Sequence, residues 1–292
     1  MILSNNSISF PSIIDGILKW LLRGIGLTAI VIMLSIVVFV FIESMPAFSA
    51  INITRFFTDT NWNPTGNEYY MWPMLLGSLG LVVGAVTIAV PIAVLIAVFN
   101  NFYAPKSLAK ASRRLIEILA GIPSVVYGLW GLVTLVPMII TIKAPGTSLL
   151  AGIIVLAVMI FPTITILIDS AIKTLPKQYL EAAIALGLKR WSTIFGVVLP
   201  SVKKSIFAGS VLGAARAIGE TMAVLMVCGN VVQVPDSFFE PMRALTSNIA
   251  LEMAYALELH RSTLFVSGFF LLCIVLLMIF VKEVLMKEHS HA

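Results

Sequence analysis

Charge is scarce in this chain. Asp, Glu, Lys and Arg make up 11% of its 292 residues, against about 25% in an ordinary soluble domain. So few charges cannot cover the water-facing surface of a globular fold, which excludes a soluble protein. Cysteine occurs only as Cys228 and Cys273, both in apolar runs, at a spacing that fits no metal site or redox motif. Histidine occurs only as His260, His289 and His291. The last two read as a solvated tail, so no metal site is expected. No G-x-x-x-x-G-K-[ST] segment is present to cradle phosphates, and Gly24-Ile25-Gly26 lacks the third glycine of a dinucleotide fingerprint. No serine, cysteine or metal-based constellation suggests catalysis, and no cofactor is implied. The chain is therefore expected not to be an enzyme. Any work it does must draw on a partner or a gradient.

What is abundant is apolar sequence: 59% of residues, with a mean hydropathy of +1.03. Six runs approach or exceed the ~20 residues that carry a helix across a bilayer, at 24–42, 74–99, 118–140, 149–168, 206–232 and 264–281. Backbone in lipid must satisfy its own hydrogen bonds, so these runs predict helices. Barrel strands would alternate in short segments. Basic residues cluster at 100–114 (Lys106, Lys110, Arg113, Arg114), at 169–205 and in the N-terminal arm (Lys19, Arg23), whereas the intervening loops carry few. The positive-inside rule then puts both termini in the cytoplasm of a multi-pass cell (inner) membrane protein. The net charge of +5 sets orientation in a lipid bilayer and gives no reason to expect nucleic acid. The predicted organisation is a cytoplasmic arm at 1–23, a six-span domain at 24–281 with a cytoplasmic loop at 169–205, and a tail at 282–292. The first run exceeds a signal-peptide core and follows a long arm, so it reads as an uncleaved anchor. Pro91, Pro123, Pro137 and Pro162 lie inside spans and predict kinks.

The 169–205 loop contains E-A-A-I-A-L-G-L-K-R-W-S-T-I-F-G-V-V-L-P at 181–200. Pro176 suits the start of a short helix, and Gly187 suits a left-handed cap at its end. Leu180, Ala183, Ile184 and Gly187 share one helical face. Glu181 is expected near the helix start, where the macrodipole favours a negative charge. A second short helix is expected over 191–198, broken by Pro200. The spaced residues Glu181, Ala182, Ala183, Gly187, Val197, Leu199 and Pro200 resemble the coupling loop of ABC importer permeases, with Val197 where Ile is more usual. That resemblance implies a separate ATPase that grips the loop.

Two charges lie inside the fifth run, Arg216 and Glu220. A charge at the membrane centre costs about 2.5–3.5 kcal/mol on insertion scales. Read as one helix, the i, i+4 spacing puts both on one face and within reach of each other. Gly209, Gly213 and Ala217 share that face, with Ser210 and Thr221 beside it. Two readings stay open: an ion pair that holds helices together, or a pair lining the path of an anion, whose oxygens suit the guanidinium fork.

Four blocks carry a narrower resemblance: W-P-M-L-L-G-S-L-G at 72–80, G-I-P-S-V-V-Y-G-L-W-G-L at 121–132, R-A-I-G-E-T-M-A-V-L-M-V-C-G-N at 216–230, and L-T-S-N-I-A-L-E-M at 245–253. Together with the loop they resemble the PstC family of phosphate ABC importer permeases. The resemblance implies an all-α membrane protein with the type I ABC importer permease fold. It implies inorganic phosphate as cargo, a PstA-like second permease, a PstB-like ATPase dimer and a PstS-like substrate-binding protein. Arg216 and Glu220 would serve phosphate passage, with Thr221 in the same path. A PstA-type permease and a sulfate or molybdate permease remain alternatives. In another class, a secondary transporter or channel would show repeated spans and no coupling loop. The segment 236–261, predicted external, is expected to meet the binding protein or close the outer gate.

Overall fold

The computed structural model describes residues 13–287 except Thr60. Most of the N-terminal arm and the His289–His291 tail thus lie outside the described residues. Among the described residues the protein is a helix bundle. α1 spans Ile13–Ala50 and leads through a short α2 (Arg55–Thr58) to a two-stranded hairpin, β1 (Trp62–Asn63) with β2 (Glu68–Tyr69). α3 spans Trp72–Val98 and ends in a π-turn at Phe99–Tyr103. α4 (Lys106–Gly121) is followed by α5 (Ser124–Trp130), a second π-turn (Gly131–Leu135) and α6 (Val136–Ile140). α7 spans Leu149–Lys173, and α8 (Lys177–Ala185) and α9 (Arg190–Thr193) form the E-A-A loop. A third π-turn (Ile194–Val198) enters α10 (Leu199–Ile218), followed by α11 (Met222–Val227), α12 (Leu245–Glu252) and α13 (Glu258–Lys287).

Five helices are long and apolar enough to cross a membrane, and a sixth span follows when the bent pair Lys106–Gly121 and Ser124–Ile140 is counted as one. The expected third span at 118–140 needs correction. The chain bends by 95° between those two helices, so residues 118–121 belong to the amphipathic α4. Ile122 is extended ahead of Pro123, as steric clash with a following proline ring requires. The Tyr127 hydroxyl reaches across the bend and donates to the Leu119 carbonyl at 2.7 Å.

α7 is the central pillar, flanked by α3 and α10. On α3, Ala85, Ala89, Ala93 and Ala97 recur every four residues and are fully buried. Such small residues let helix backbones come close, and close dispersion contact drives association where lipid offers no hydrophobic gain. On α10, Gly209 and Gly213 do the same against Ile164. α1 lies along α13, with Phe39 against Phe265 and Phe41 against Phe269 at ring separations of 5.7 and 5.6 Å. Glu43 of α1 meets Arg261 of α13 at 3.5 Å.

These contacts define two ends. At the loop end, the close of α3 meets the close of α7 through Asn101 and Asp169. At the far end, the Leu149 N–H bonds the Glu240 carbonyl, and the Leu245 N–H bonds Ser78 Oγ. Because α1 and α13 run antiparallel, the described chain enters and leaves at the loop end. Of the nineteen basic residues, only Arg55, Lys143, Arg216, Arg243 and Arg261 lie away from that end.

Candidate functional site

The fifth span is broken where the charges sit. α10 stops at Ile218, Gly219 ends it, and α11 begins at Met222 with Thr221 as its N-cap residue. The expected continuous helix through Arg216 and Glu220 is therefore corrected, and so is their pairing. Arg216 Nη1 donates to Thr163 Oγ1 of α7 at 3.0 Å. Glu220 Oε1 instead accepts the Ala223 N–H at 3.1 Å, satisfying one of the open donors at the start of α11. The Glu220 carbonyl, released from the helical ladder, accepts from Thr246 Oγ1 at 2.8 Å. Thr221 turns its hydroxyl back to the Gly219 carbonyl at 3.3 Å. A glycine followed by residues able to cap is a legible stop signal, here masked by the apolar run on either side.

The break is held from both sides. α11 packs on α5 so closely that a Cβ on Gly128 would lie 2.7 Å from the Ala223 backbone. Arg216 is half-buried. A guanidinium carries five N–H donors, and those beyond the Thr163 bond have no partner among the described residues.

The E-A-A loop forms a helix–turn–helix. Gly187 adopts φ +71° with open space around its missing side chain, so backbone conformation selects glycine there. Pro176 is the cap residue and α8 starts at Lys177. Glu181 accordingly falls in the second turn and away from the dipole end, contrary to expectation. Ala183 packs inward, whereas Ile184 and Leu186 are 72% and 78% exposed. Nor does Pro200 break the chain, since Arg190–Ile218 is one helical run. Pro200 follows a π-turn, as does Pro137 in α6. The wider turn moves the carbonyls that the proline ring would strike, and the missing N–H is absorbed there.

Between α8 and α10 lies an open cleft of about 450 Å³, lined by Tyr179, Ala182, Leu186, Leu188, Val197 and Pro200, among others. Ala182, Ala183, Val197 and Pro200 of the motif thus line it, with Leu199 next to Pro200, while Glu181 and Gly187 do not line it. Trp191 and Phe195 stack beside it with ring centroids 4.0 Å apart. Arg190 lies over the Tyr103 ring at 5.3 Å and ties the loop to the close of α3.

Two networks escaped the sequence reading. At the loop end, buried Asp169 accepts from Arg113 Nε at 2.9 Å, from Lys173 at 2.7 Å and from Asn101 Nδ2 at 2.8 Å. At the far end, Glu252 meets Arg243 at 2.8 Å and His260 at 2.9 Å. In sequence each shows only an acid in the last turns of its helix, which names no partner.

Comparison with known proteins fits this geometry. Residues 89–288 match the family described as the binding-protein-dependent transport system inner membrane component. The chain belongs to that family. The probable ABC transporter permease protein YqgH of Bacillus subtilis (strain 168) is 38% identical over 262 residues, 87% of this chain and 85% of that protein. The phosphate transport system permease protein PstC of Xylella fastidiosa (strain 9a5c) is 34% identical over 256 residues, 80% of this chain and 79% of that one. The fold is shared with a bacterial ABC transporter involved in the import of the acidic polysaccharide alginate, at TM-score 0.67 and 16% identity over 93% of this chain and 96% of that chain. It is also shared with the inward-facing MetNI methionine ABC transporter, at TM-score 0.60 and 17% identity over 75% and 96% of the two chains. This permease thus has the expected all-α, multi-pass, type I importer architecture. As a family member it associates with an ATPase and a substrate-binding protein.

Proposed function

We propose that this permease is the PstC-type subunit of an importer of inorganic phosphate, driven by a separate ATPase. The observation that carries the reading is Arg216. It is a half-buried guanidinium beside a helix break, with one bond to Thr163 and its other donors without a partner among the described residues. A planar fork of N–H groups matches the oxygens of a tetrahedral oxyanion. The single tether fixes its direction. Glu220, engaged as a cap, stands close in sequence and tempers the local positive charge, so that a bound anion can leave. Similarity to proteins named as phosphate permeases supports the same cargo.

In this reading the cleft of the E-A-A loop receives one subunit of a PstB-like ATPase dimer. A PstA-like permease completes the path, and a PstS-like protein delivers phosphate at the far end. The loop end is cytoplasmic, since basic residues concentrate there, and both termini share that side of the inner membrane. The domain scheme proposed with it is an arm at 1–23, the permease domain at 24–281 with its coupling loop, and a tail at 282–292. Uptake of labelled phosphate, with sulfate and molybdate as competitors, tests the cargo in cells carrying or lacking this chain. Phosphate uptake that depends on the chain and resists both competitors supports the reading. Equal competition by sulfate or molybdate overturns it.

A further inference from the structure

At the far end of the bundle one carboxylate gathers four segments. Glu252 closes α12 and is buried. Its Oε1 accepts from Arg243 Nη1 at 2.8 Å. Its Oε2 accepts from Trp62 Nε1 of the hairpin at 2.8 Å and lies 2.9 Å from His260 Nε2 at the start of α13. Arg243 also donates to the Asn230 carbonyl at 2.9 Å and to Asn248 Oδ1 at 3.0 Å. Charge-assisted bonds are roughly twice as strong as neutral ones, so Glu252 is the strongest fastening of this region.

The other end of α12 reaches the broken helix. The Leu245 N–H donates to Ser78 Oγ of α3 at 3.0 Å, and Thr246 Oγ1 donates to the Glu220 carbonyl at 2.8 Å. α12 is thus a strut from the Glu252 cluster to the break beside Arg216.

The strut is seated with valence to spare. Five buried side-chain atoms lack a hydrogen-bond partner among the described residues, and three of them, Asn230 Oδ1, Ser247 Oγ and Asn248 Nδ2, lie on α12 or on the residue that Arg243 ties to it. Each buried polar atom left unpaired disfavours the arrangement that leaves it so. Just past the strut, Glu258 stands at φ 43°, a conformation that costs energy for a side-chain-bearing residue. These atoms and this turn are where another seating of α12 would differ from this one. An open cavity of about 310 Å³ is lined by Glu252 together with Thr65, Tyr255, Leu257 and His260, among others.

We infer that Glu252 is a latch. Fastened, it holds α12 over the break. Docking of the substrate-binding protein at the cavity mouth, where Tyr255 and Leu257 are 64% and 76% exposed, unfastens it and frees the wall that carries Arg216. Glu252 touches no cargo and is a positioning residue. The inference deepens the permease reading above and does not depend on which anion is carried.

The test is ATP hydrolysis by the whole complex, purified through a tag on this chain and placed in lipid nanodiscs, with and without the binding protein. Glu252→Gln keeps size and an acceptor but removes the charge. Hydrolysis without binding protein should rise about tenfold, equivalent to a shift of about 1.4 kcal/mol in the latch equilibrium, and stimulation by the binding protein should shrink to match. Thr246→Val, at the other end of the strut, should give the same release and decides the matter if the first variant does not assemble. Unchanged unstimulated hydrolysis in an assembled variant overturns the latch, as does a lowered melting temperature with no other effect. A rise in one assembled variant without the other overturns the strut. Because unstimulated hydrolysis needs no transported anion, failure of the phosphate assignment would leave this result intact.

Discussion

Arg216 and Glu220 stand four residues apart yet look to different partners: Arg216 bonds Thr163 on α7 at 3.0 Å, and Glu220 caps Ala223 at 3.1 Å. The helix that would have paired them ends between them at Gly219. This separates two roles that a salt bridge would have fused. The guanidinium is tethered by a neutral hydroxyl, and no carboxylate among the described residues neutralises its charge by direct contact. The carboxylate has a structural task that an amide oxygen could also perform.

Substitutions at the two positions should therefore differ in kind. Arg216→Gln removes the fixed charge and should lower phosphate uptake about ten- to a hundredfold, the worth of one charged hydrogen bond. Arg216→Lys keeps the charge without the fork and should be impaired less. Glu220→Gln retains an acceptor for Ala223 and should assemble normally, with turnover slowed by tighter anion retention. Glu220→Ala should in addition lose about 1 kcal/mol of cap stability. Uptake and the amount of assembled complex are measured side by side. Normal uptake in Arg216→Gln would remove this residue from the path.

The spans were legible because a bilayer imposes one length and one composition on every crossing helix. The E-A-A loop was legible because its residues keep fixed spacing and Gly187 needs positive φ. Local breaks were legible only in part. Pro123 announced a kink, and the chain does bend there, by 95°. The size of that bend and the stop at Gly219 were hidden inside apolar runs, where hydropathy cannot register a change of direction. Pro200 misled in the opposite sense, since a π-turn absorbed it. Asp169 and Glu252 were invisible as network centres because Arg113 and Trp62, partners of each, lie 56 and 190 residues away.

Gly187 offers a clean test of coupling. Nothing lies within 4 Å of a Cβ built there, so a substituent meets strain without a clash. Gly187→Leu at φ +71° should cost about 1–2 kcal/mol and move the α8 tip. Transport should fall sharply while membrane insertion persists. Gly187→Asn, better tolerated at positive φ, should retain most transport. Equal activity of Leu and glycine at this position would show that the turn is dispensable.

Orientation can be read with introduced cysteines. Thr65 in the far-end hairpin and Lys110 on α4 are both exposed and lie at opposite ends of the bundle. In intact cells an impermeant thiol reagent should modify Thr65→Cys and spare Lys110→Cys until the membrane is opened. The reverse pattern would invert the proposed topology.

The Asp169 network should couple fold to transport. Its carboxylate joins α7 to the close of α3 through Asn101 and to α4 through Arg113, one turn before α7 ends ahead of the E-A-A loop. Asp169→Ala leaves Arg113 and Lys173 without their shared acceptor. Those side chains are 27% and 48% exposed, so water recovers part of the loss. The cost should be about 2–3 kcal/mol, below the 3–5 expected on breaking a fully buried pair. Arg113→Ala should cost less, because Lys173 and Asn101 still serve the carboxylate. The two changes together should fall short of their sum by about 1 kcal/mol or more, since they remove one shared interaction. Thermal melting of the purified complex reads these differences, and strict additivity would deny the pairing. The same variants should hydrolyse ATP with less phosphate moved per turnover, because α4 and α7 no longer shift together when the loop is pushed. An unchanged ratio of phosphate carried to ATP consumed in an assembled Asp169→Ala complex would limit this network to holding the bundle together.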